Sequence, residues 1–318
     1  MKTVQKNVAI AISLLMTAST GTFANPLEDQ NSVRDQAAGT EFFFSDDSDG
    51  FQTRKLSAEY LPKYENGDHY LGARASAYQY KHDDWQQNGQ KISLIARNIE
   101  TATANGWFVD AGLFQQNDHT LLTIDGSYRT ALAEKTALEV FVNRDWVETQ
   151  LALDQGTHFT FMGAAIDQGI GEHITVVGLA GSQLFSDDNR RDHGRLKLIY
   201  QPSLDLGLTL QARYRTYHST QEDVGGAYFN PTNYEESMLA LGWRKRFAGW
   251  TSGLTVVVGR EKINNAPRQS TKLLELNLQS PIRGNQFLRL NAGYNDSASF
   301  NGPNYNYHYV KGEWVLRF

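Results

Sequence analysis

Along most of this chain apolar and polar side chains alternate one by one. Leu71, Ala73, Ala75 and Ala77 form one such series, and Trp107, Val109, Ala111 and Leu113 another. Leu208, Leu210, Ala212 and Tyr214, then Leu288, Leu290, Ala292 and Tyr294, repeat it further along. An extended backbone turns successive side chains to opposite faces, so each series predicts a strand with one apolar and one polar face. From Gly39 onward sixteen such segments recur every 15 to 20 residues or so. Residues 169–184 carry the weakest alternation, and fourteen strands is the alternative count. The last segment, Tyr309–Phe318, sets Val310, Gly312, Trp314, Leu316 and Phe318 against Lys311, Glu313 and Arg317.

The connections alternate as well. Asp46–Gly50, His82–Gly89, Asp145–Gly156, Phe185–His193, His218–Tyr234, Lys262–Ser270 and Asp296–Asn304 are polar and mostly the longer set, with Gln115–His119 short. Between them lie tighter stretches rich in Gly, Pro and Asn, such as Pro62–Asp68, Ala131–Lys135 and Phe247–Trp250, of the kind hairpins need. Strands with one apolar and one charged face, joined by loops and turns in broad alternation, predict an all-β fold. The fold class is a transmembrane antiparallel up-and-down β-barrel, apolar outside and wet inside. Strands of about 10 residues fit the available length, and sixteen of them leave room for an aqueous lumen.

The first residues bear on compartment. Lys2 and Lys6 precede the apolar run Val8–Met16, and small residues lead to Ala24. That is the pattern of a secretory leader of residues 1–24, followed by a periplasmic tail over 25–38 and the barrel over 39–318. No later stretch is an apolar run long enough for a spanning helix. Without the leader 28 basic stand against 35 acidic side chains, a formal charge near −7, which argues against a nucleic-acid partner. Cysteine is absent, so no thiolate nucleophile or thiolate metal site is available.

Strand parity assigns the polar faces to the lumen. Arg74, Arg97, Arg129, Arg195, Arg213, Arg215, Tyr217, Arg244, Arg246, Arg289, Tyr305 and Tyr307 then line a path suited to a hydroxyl-rich chain, through hydrogen bonds and stacking. Tyr228, Phe229, Asn230 and Pro231 in the longest loop are the candidate gate, and Trp107, Trp243, Trp250 and Trp314 fit an interfacial girdle. The loops are acidic, with Asp46, Asp47, Asp49, Asp83, Asp84, Asp187, Asp188, Glu222 and Asp223, a bias that would suit a cationic polymer. No EF-hand spacing occurs, so no metal is assigned, and no cofactor is needed. The eight His residues stand mostly in loops or at strand ends, and no Gly-x-Ser-x-Gly sequence is present, so no catalytic residues are assigned.

The final strand resembles the C-terminal strand of bacterial outer-membrane barrels, in which an aromatic last residue is read by the barrel-assembly machinery. That resemblance gives Gly312, Trp314, Leu316 and Phe318 the role of an assembly signal. The order Gly225-Gly226-Ala227-Tyr228-Phe229-Asn230-Pro231 through Leu241-Gly242-Trp243-Arg244-Lys245-Arg246-Phe247 resembles the C-terminal barrels of exopolysaccharide export porins, the poly-N-acetylglucosamine and cellulose exporters. Asp145-Trp146-Val147-Glu148-Thr149, Phe185–Arg191, Leu274–Pro281 and Gly293–Tyr305 extend the likeness over about residues 140–318. The resemblance implies a sixteen-stranded outer-membrane porin of a Gram-negative cell through which a nascent polysaccharide leaves, as in biofilm formation. Those exporters carry helical repeats ahead of the barrel, and no 34-residue helical period occurs here. A separate periplasmic repeat protein and an inner-membrane synthase would therefore be partners, beside lipid and the polymer. The alternatives are a non-transporting barrel acting as a surface receptor or structural protein, and an outer-membrane hydrolase.

Overall fold

The computed structural model describes residues 35–100, 102–203, 205–281, 285–297 and 305–318. Residues 1–34, which hold the expected leader and most of the expected tail, and the Ala298–Phe300 and Gly302-Pro303 stretches lie outside these residues.

Sixteen strands form. The first eight are β1 (Ala37–Asp47), β2 (Phe51–Asn66), β3 (His69–His82), β4 (Trp85–Ile99), β5 (Gly106–Gln116), β6 (His119–Ala133), β7 (Thr136–Trp146) and β8 (His158–Ile170). Then come β9 (Ile174–Phe185), β10 (Arg190–Ser203), β11 (Leu208–Ser219), β12 (Asn233–Phe247), β13 (Trp250–Ile263), β14 (Gln269–Gln279), β15 (Gln286–Asp296) and β16 (Asn306–Arg317). One short helix, α1 (Gln150–Gln155), lies between β7 and β8. Every strand pairs with its sequence neighbours, and β1 pairs with β16 from Ala37 opposite Arg317 to Asp47 opposite Tyr307. The sheet is a closed antiparallel barrel without an exposed edge, and the fourteen-strand alternative is excluded.

Several boundaries differ from the sequence reading, and β4 begins at Trp85 and β10 at Arg190, inside the expected His82–Gly89 and Phe185–His193 loops. β1 opens at Ala37, before the expected Gly39, and β2 runs to Asn66 through the stretch assigned to a turn. The weak stretch 169–184 resolves into the end of β8, a tight turn and β9.

Side-chain parity is as expected. Ile92, Leu94, Leu113, Leu122, Leu239 and Phe247 stand on the outer wall with more than half their surface uncovered, the signature of a lipid-facing band. Trp107, Trp243, Trp250 and Trp314 all lie on this wall near the end that carries Ala37 and Arg317, here called the lower end. At the seam, the Phe42 ring lies over Gly312, where a Cβ would come within 2.3 Å of it. Glycine at 312 thus lets an aromatic ring cover the closing pair.

The lumen is filled unevenly. Inward side chains of β2–β5 are mostly buried against one another, whereas those of β7–β10 are mostly half-buried or exposed to the interior. Ala37, Leu61, Tyr64, Ile95, Phe287 and Val315 close the lower end on the seam side with an apolar cluster. Space therefore runs down one side of the barrel.

Candidate functional site

The packed side is held by ion pairs. Arg74 donates from Nε to Glu59 and from a terminal nitrogen to Asp110, both at 2.7 Å, and Lys91 reaches Asp110 at 3.1 Å. Lys55 and Lys311 share Glu41 at 2.8 and 2.7 Å. Arg289 meets Glu313 at 3.2 Å, Arg97 meets Asp68 at 3.4 Å, and Arg129 pairs with Asp167. With Arg215 on Glu236, five of the expected lumen arginines are thus already paired with carboxylates of the wall itself.

Arg195, Arg215, Tyr217, Tyr305 and Tyr307 come together around a cavity of about 750 Å³ at the upper end, the barrel's mouth. Arg244 and Arg289 stand apart from them, around a space of about 620 Å³ that Gly207, Thr251 and Gln279 place toward the lower end. Arg246 is exposed near the lower end of β12, opposite Thr251, and Arg213 donates from Nε to Gln211 at 2.9 Å.

The β11–β12 loop folds over the mouth and is pinned there. The Tyr228 ring stacks on Phe185 with centroids 4.5 Å apart, and its hydroxyl donates to Asp187 at 2.8 Å. Burial pushes the Tyr228 hydroxyl above the usual tyrosine range. Asn189 donates to Asn230, and the Arg191 guanidinium donates to the Phe229 carbonyl at 2.8 Å while lying 4.6 Å from the Tyr217 ring. Tyr228 and Phe229 line the mouth cavity, and Pro231 is buried at the base of the loop.

A second element in the mouth is the β7–β8 connection. Thr149 caps α1, its hydroxyl accepting from the Ala152 amide at 3.3 Å and donating to the Ala227 carbonyl. Gly156 ends the helix at φ +68°, a conformation suited to glycine, and a Cβ there would meet the His119 ring. Leu153 is fully buried among Tyr80, Phe114, Leu121 and Trp146, and Ala152 packs against Phe185, Ala227 and Tyr228. His82 bonds Gln150 at 2.7 Å, and Trp85 donates to Asp154 at 3.0 Å. This insert therefore bridges the β3–β6 wall and the β11–β12 loop across the opening. Sequence reasoning missed it. The signals were a Thr and a Gly seven residues apart with Leu151, Ala152 and Leu153 between, too apolar for a solvated loop.

Glu148 begins the insert. Its carboxylate accepts from Tyr80 at 3.3 Å and from Thr53 at 3.5 Å. Enclosure by the barrel and then the nearby Asp145 carboxylate push its acid up to about 7. Lumen water reaches the side chain and screens part of that effect.

Of the four residues of the assembly signal, Trp314 and Phe318 are exposed on the outer wall, Leu316 is half-buried and Gly312 lies under Phe42. The Phe318 amide donates to the Gln36 carbonyl at 2.9 Å.

No protein-family model matches this chain, and no curated protein matches it. Among solved structures it is similar to one described as a bacterial polysaccharide outer membrane secretin, at 14% identity and a TM-score of 0.65, over 90% of this chain and 99% of that one. It is also similar to the outer membrane protein OprD from Pseudomonas aeruginosa, at 10% identity and a TM-score of 0.45, over 89% and 94% of the two chains. Acinetobacter baumannii OccAB3 aligns at 10% identity and a TM-score of 0.43, over 89% and 99%. The likeness to the first is one of fold, that of outer-membrane barrels.

Proposed function

We propose that this protein is an outer-membrane channel that passes an extracellular polysaccharide. The observation that carries the reading is the half-open lumen. Space is left on one side only, with Arg and Tyr side chains around it, on the same fold as a polysaccharide outer membrane secretin. A flexible hydroxyl-rich chain suits such a groove, because Arg offers fixed donors and Tyr a flat face with a polar edge. Polymer synthesis at an inner-membrane synthase would drive export, with a separate periplasmic repeat protein guiding the chain to the lower end.

The test is reconstitution in a planar bilayer with malto-oligosaccharides added on either side. Channels whose current is interrupted by saccharides of several units support the reading. A folded barrel that never conducts, even with the mouth insert removed, overturns it. The receptor or structural alternative then gains, since the insert and pinned loop present a formed surface at the mouth.

Glu148 supplies a pH dependence. An acid raised by its enclosure resists ionising in the inserted state, so the insert is held less firmly as pH rises from about 4.5 to about 7 and no less firmly above that. Conductance should rise between about pH 4.5 and about pH 7 and then level off, with Glu148→Gln flattening the response. A wild-type channel insensitive to pH over that span would remove Glu148 from gating.

A further inference from the structure

We propose that the transported saccharide is anionic, and that Arg195, Lys197 and Arg213 bind its acid groups on the way through. This rests on the channel reading above and names its substrate class.

The two sides of the lumen differ in how their cations are held. On the packed side, Lys55, Arg74, Lys91 and Lys311 are matched by Glu41, Glu59 and Asp110 within 3.1 Å. On the open side, Arg195, Lys197 and Arg213 have no carboxylate within ion-pair distance among the described residues. Asp167 and Glu275 act on Lys197 only at longer range, and Asp167 is already held by Arg129.

Register sharpens the point. Arg195 lies directly opposite Arg215, and Lys197 directly opposite Arg213. Like charges opposite each other on one face of an antiparallel pair destabilise it. Two such pairs in succession work against the sheet unless an anion visits. Neighbouring cations show what the fold does when it wants a charge neutralised. The Arg215 charge is met by Glu236, and Arg191 is taken up by aromatic rings and the Phe229 carbonyl. The remaining three are left facing lumen water.

The rest of the surroundings fits a sugar rather than a small ion. Tyr305, Tyr307 and Tyr309 form a run of rings with centroids 6.4 and 5.8 Å apart, continued by Phe43 at 6.1 Å from Tyr309. Such rings offer flat surfaces to the apolar faces of pyranoses, while guanidinium groups offer paired donors to carboxylate, sulfate or phosphate.

The acidic loops, which by composition favoured a cationic polymer, have another explanation. Asp47 accepts from the amides of Asp49 and Phe51, Asp187 from Asn189 and Tyr228, and Asp223 from Gly225. Asp83 and Asp188 hold left-handed turn positions, which Asp tolerates better than most residues. These aspartates shape turns, so their number says little about cargo.

The experiment uses the full-length protein in planar bilayers. It compares oligogalacturonate, sulfated dextran fragments and neutral malto-oligosaccharides of equal length as blockers, with the reversal potential read in a KCl gradient. The expected result is anion selectivity and block by at least one acidic series at a tenfold or more lower concentration than the neutral series. The effective series distinguishes carboxylate from sulfate recognition. In Arg195→Gln/Lys197→Gln/Arg213→Gln both preferences fall away while conductance persists. Lys197→Gln alone serves if the triple variant fails to show the heat-modifiable migration of a folded barrel. A conducting channel blocked equally by neutral and acidic sugars overturns this proposal and leaves the channel reading intact. A barrel that never conducts overturns both.

Discussion

Replacing residues 148–156 by an Asn-Gly turn should raise single-channel conductance severalfold. β7 and β8 stay in register up to Trp146 opposite His158, so a short turn placed just beyond that pair joins them without shifting the ladder. What is lost is a helical turn that fills the opening. Leu153 leaves its pocket among Tyr80, Phe114, Leu121 and Trp146, and Ala152 leaves Phe185 and Tyr228. The β11–β12 loop keeps most of its own anchors, because Asn189 and Arg191 hold it from β10 and the turn before it. Bilayer recordings at fixed pH give the comparison. Conductance within about twofold of wild type would show that the insert is not the obstruction and would shift attention to the pinned loop.

Arg215→Gln should weaken the barrel far more than Arg213→Gln, although the two arginines sit two residues apart on one face of β11. Arg215 donates to Glu236, a carboxylate almost wholly buried. Glu236 also accepts from Thr271 at 2.7 Å, and the Tyr234 hydroxyl lies 3.2 Å from it. Tyr234 in turn donates to buried Glu261 at 2.8 Å, and Arg215 reaches Ser297 beyond β16's neighbour β15 at 3.1 Å. Removing the guanidinium leaves a buried carboxylate without its cation, and breaking one partner of such a pair costs about 3–5 kcal/mol. The temperature at which the folded band is lost on unboiled gels should drop clearly for Arg215→Gln and little for Arg213→Gln. Equal shifts would mean that the Glu236 network is not structural. Arg215→Met/Glu236→Met should recover part of the loss, since replacing both charges removes the orphan.

The barrel was legible because lipid on one side and water on the other impose a strict two-residue period on each strand. It was faint only where that contrast fades. In β9, Val177, Leu179 and Phe185 face inward while Gly178, Ala180 and Ser182 face outward, so neither face reads as polar. The structure gathers Arg195, Arg215, Tyr217, Tyr305 and Tyr307 around the mouth cavity. Which cations are neutralised was not legible, because pairing depends on register between distant segments. Arg74 meets Asp110 two strands away, and Arg215 meets Ser297 from a connection 82 residues later. The insert escaped because six residues are too few to show a helical period, leaving only its capping residues as a trace.

The seam between β1 and β16 has a kinetic consequence. Fifteen of the sixteen pairings join strands adjacent in sequence, but Ala37 finds Arg317 at a sequence separation of 280. Hairpins can form early and independently, whereas this contact must bring the first strand to the last and bears the largest loop-closure entropy. Until it forms, two hydrogen-bonding edges stay open to any other strand, including those of neighbouring chains. Closure therefore carries the largest entropic cost of the sixteen pairings, and Phe42 lies over Gly312 where that pairing is made.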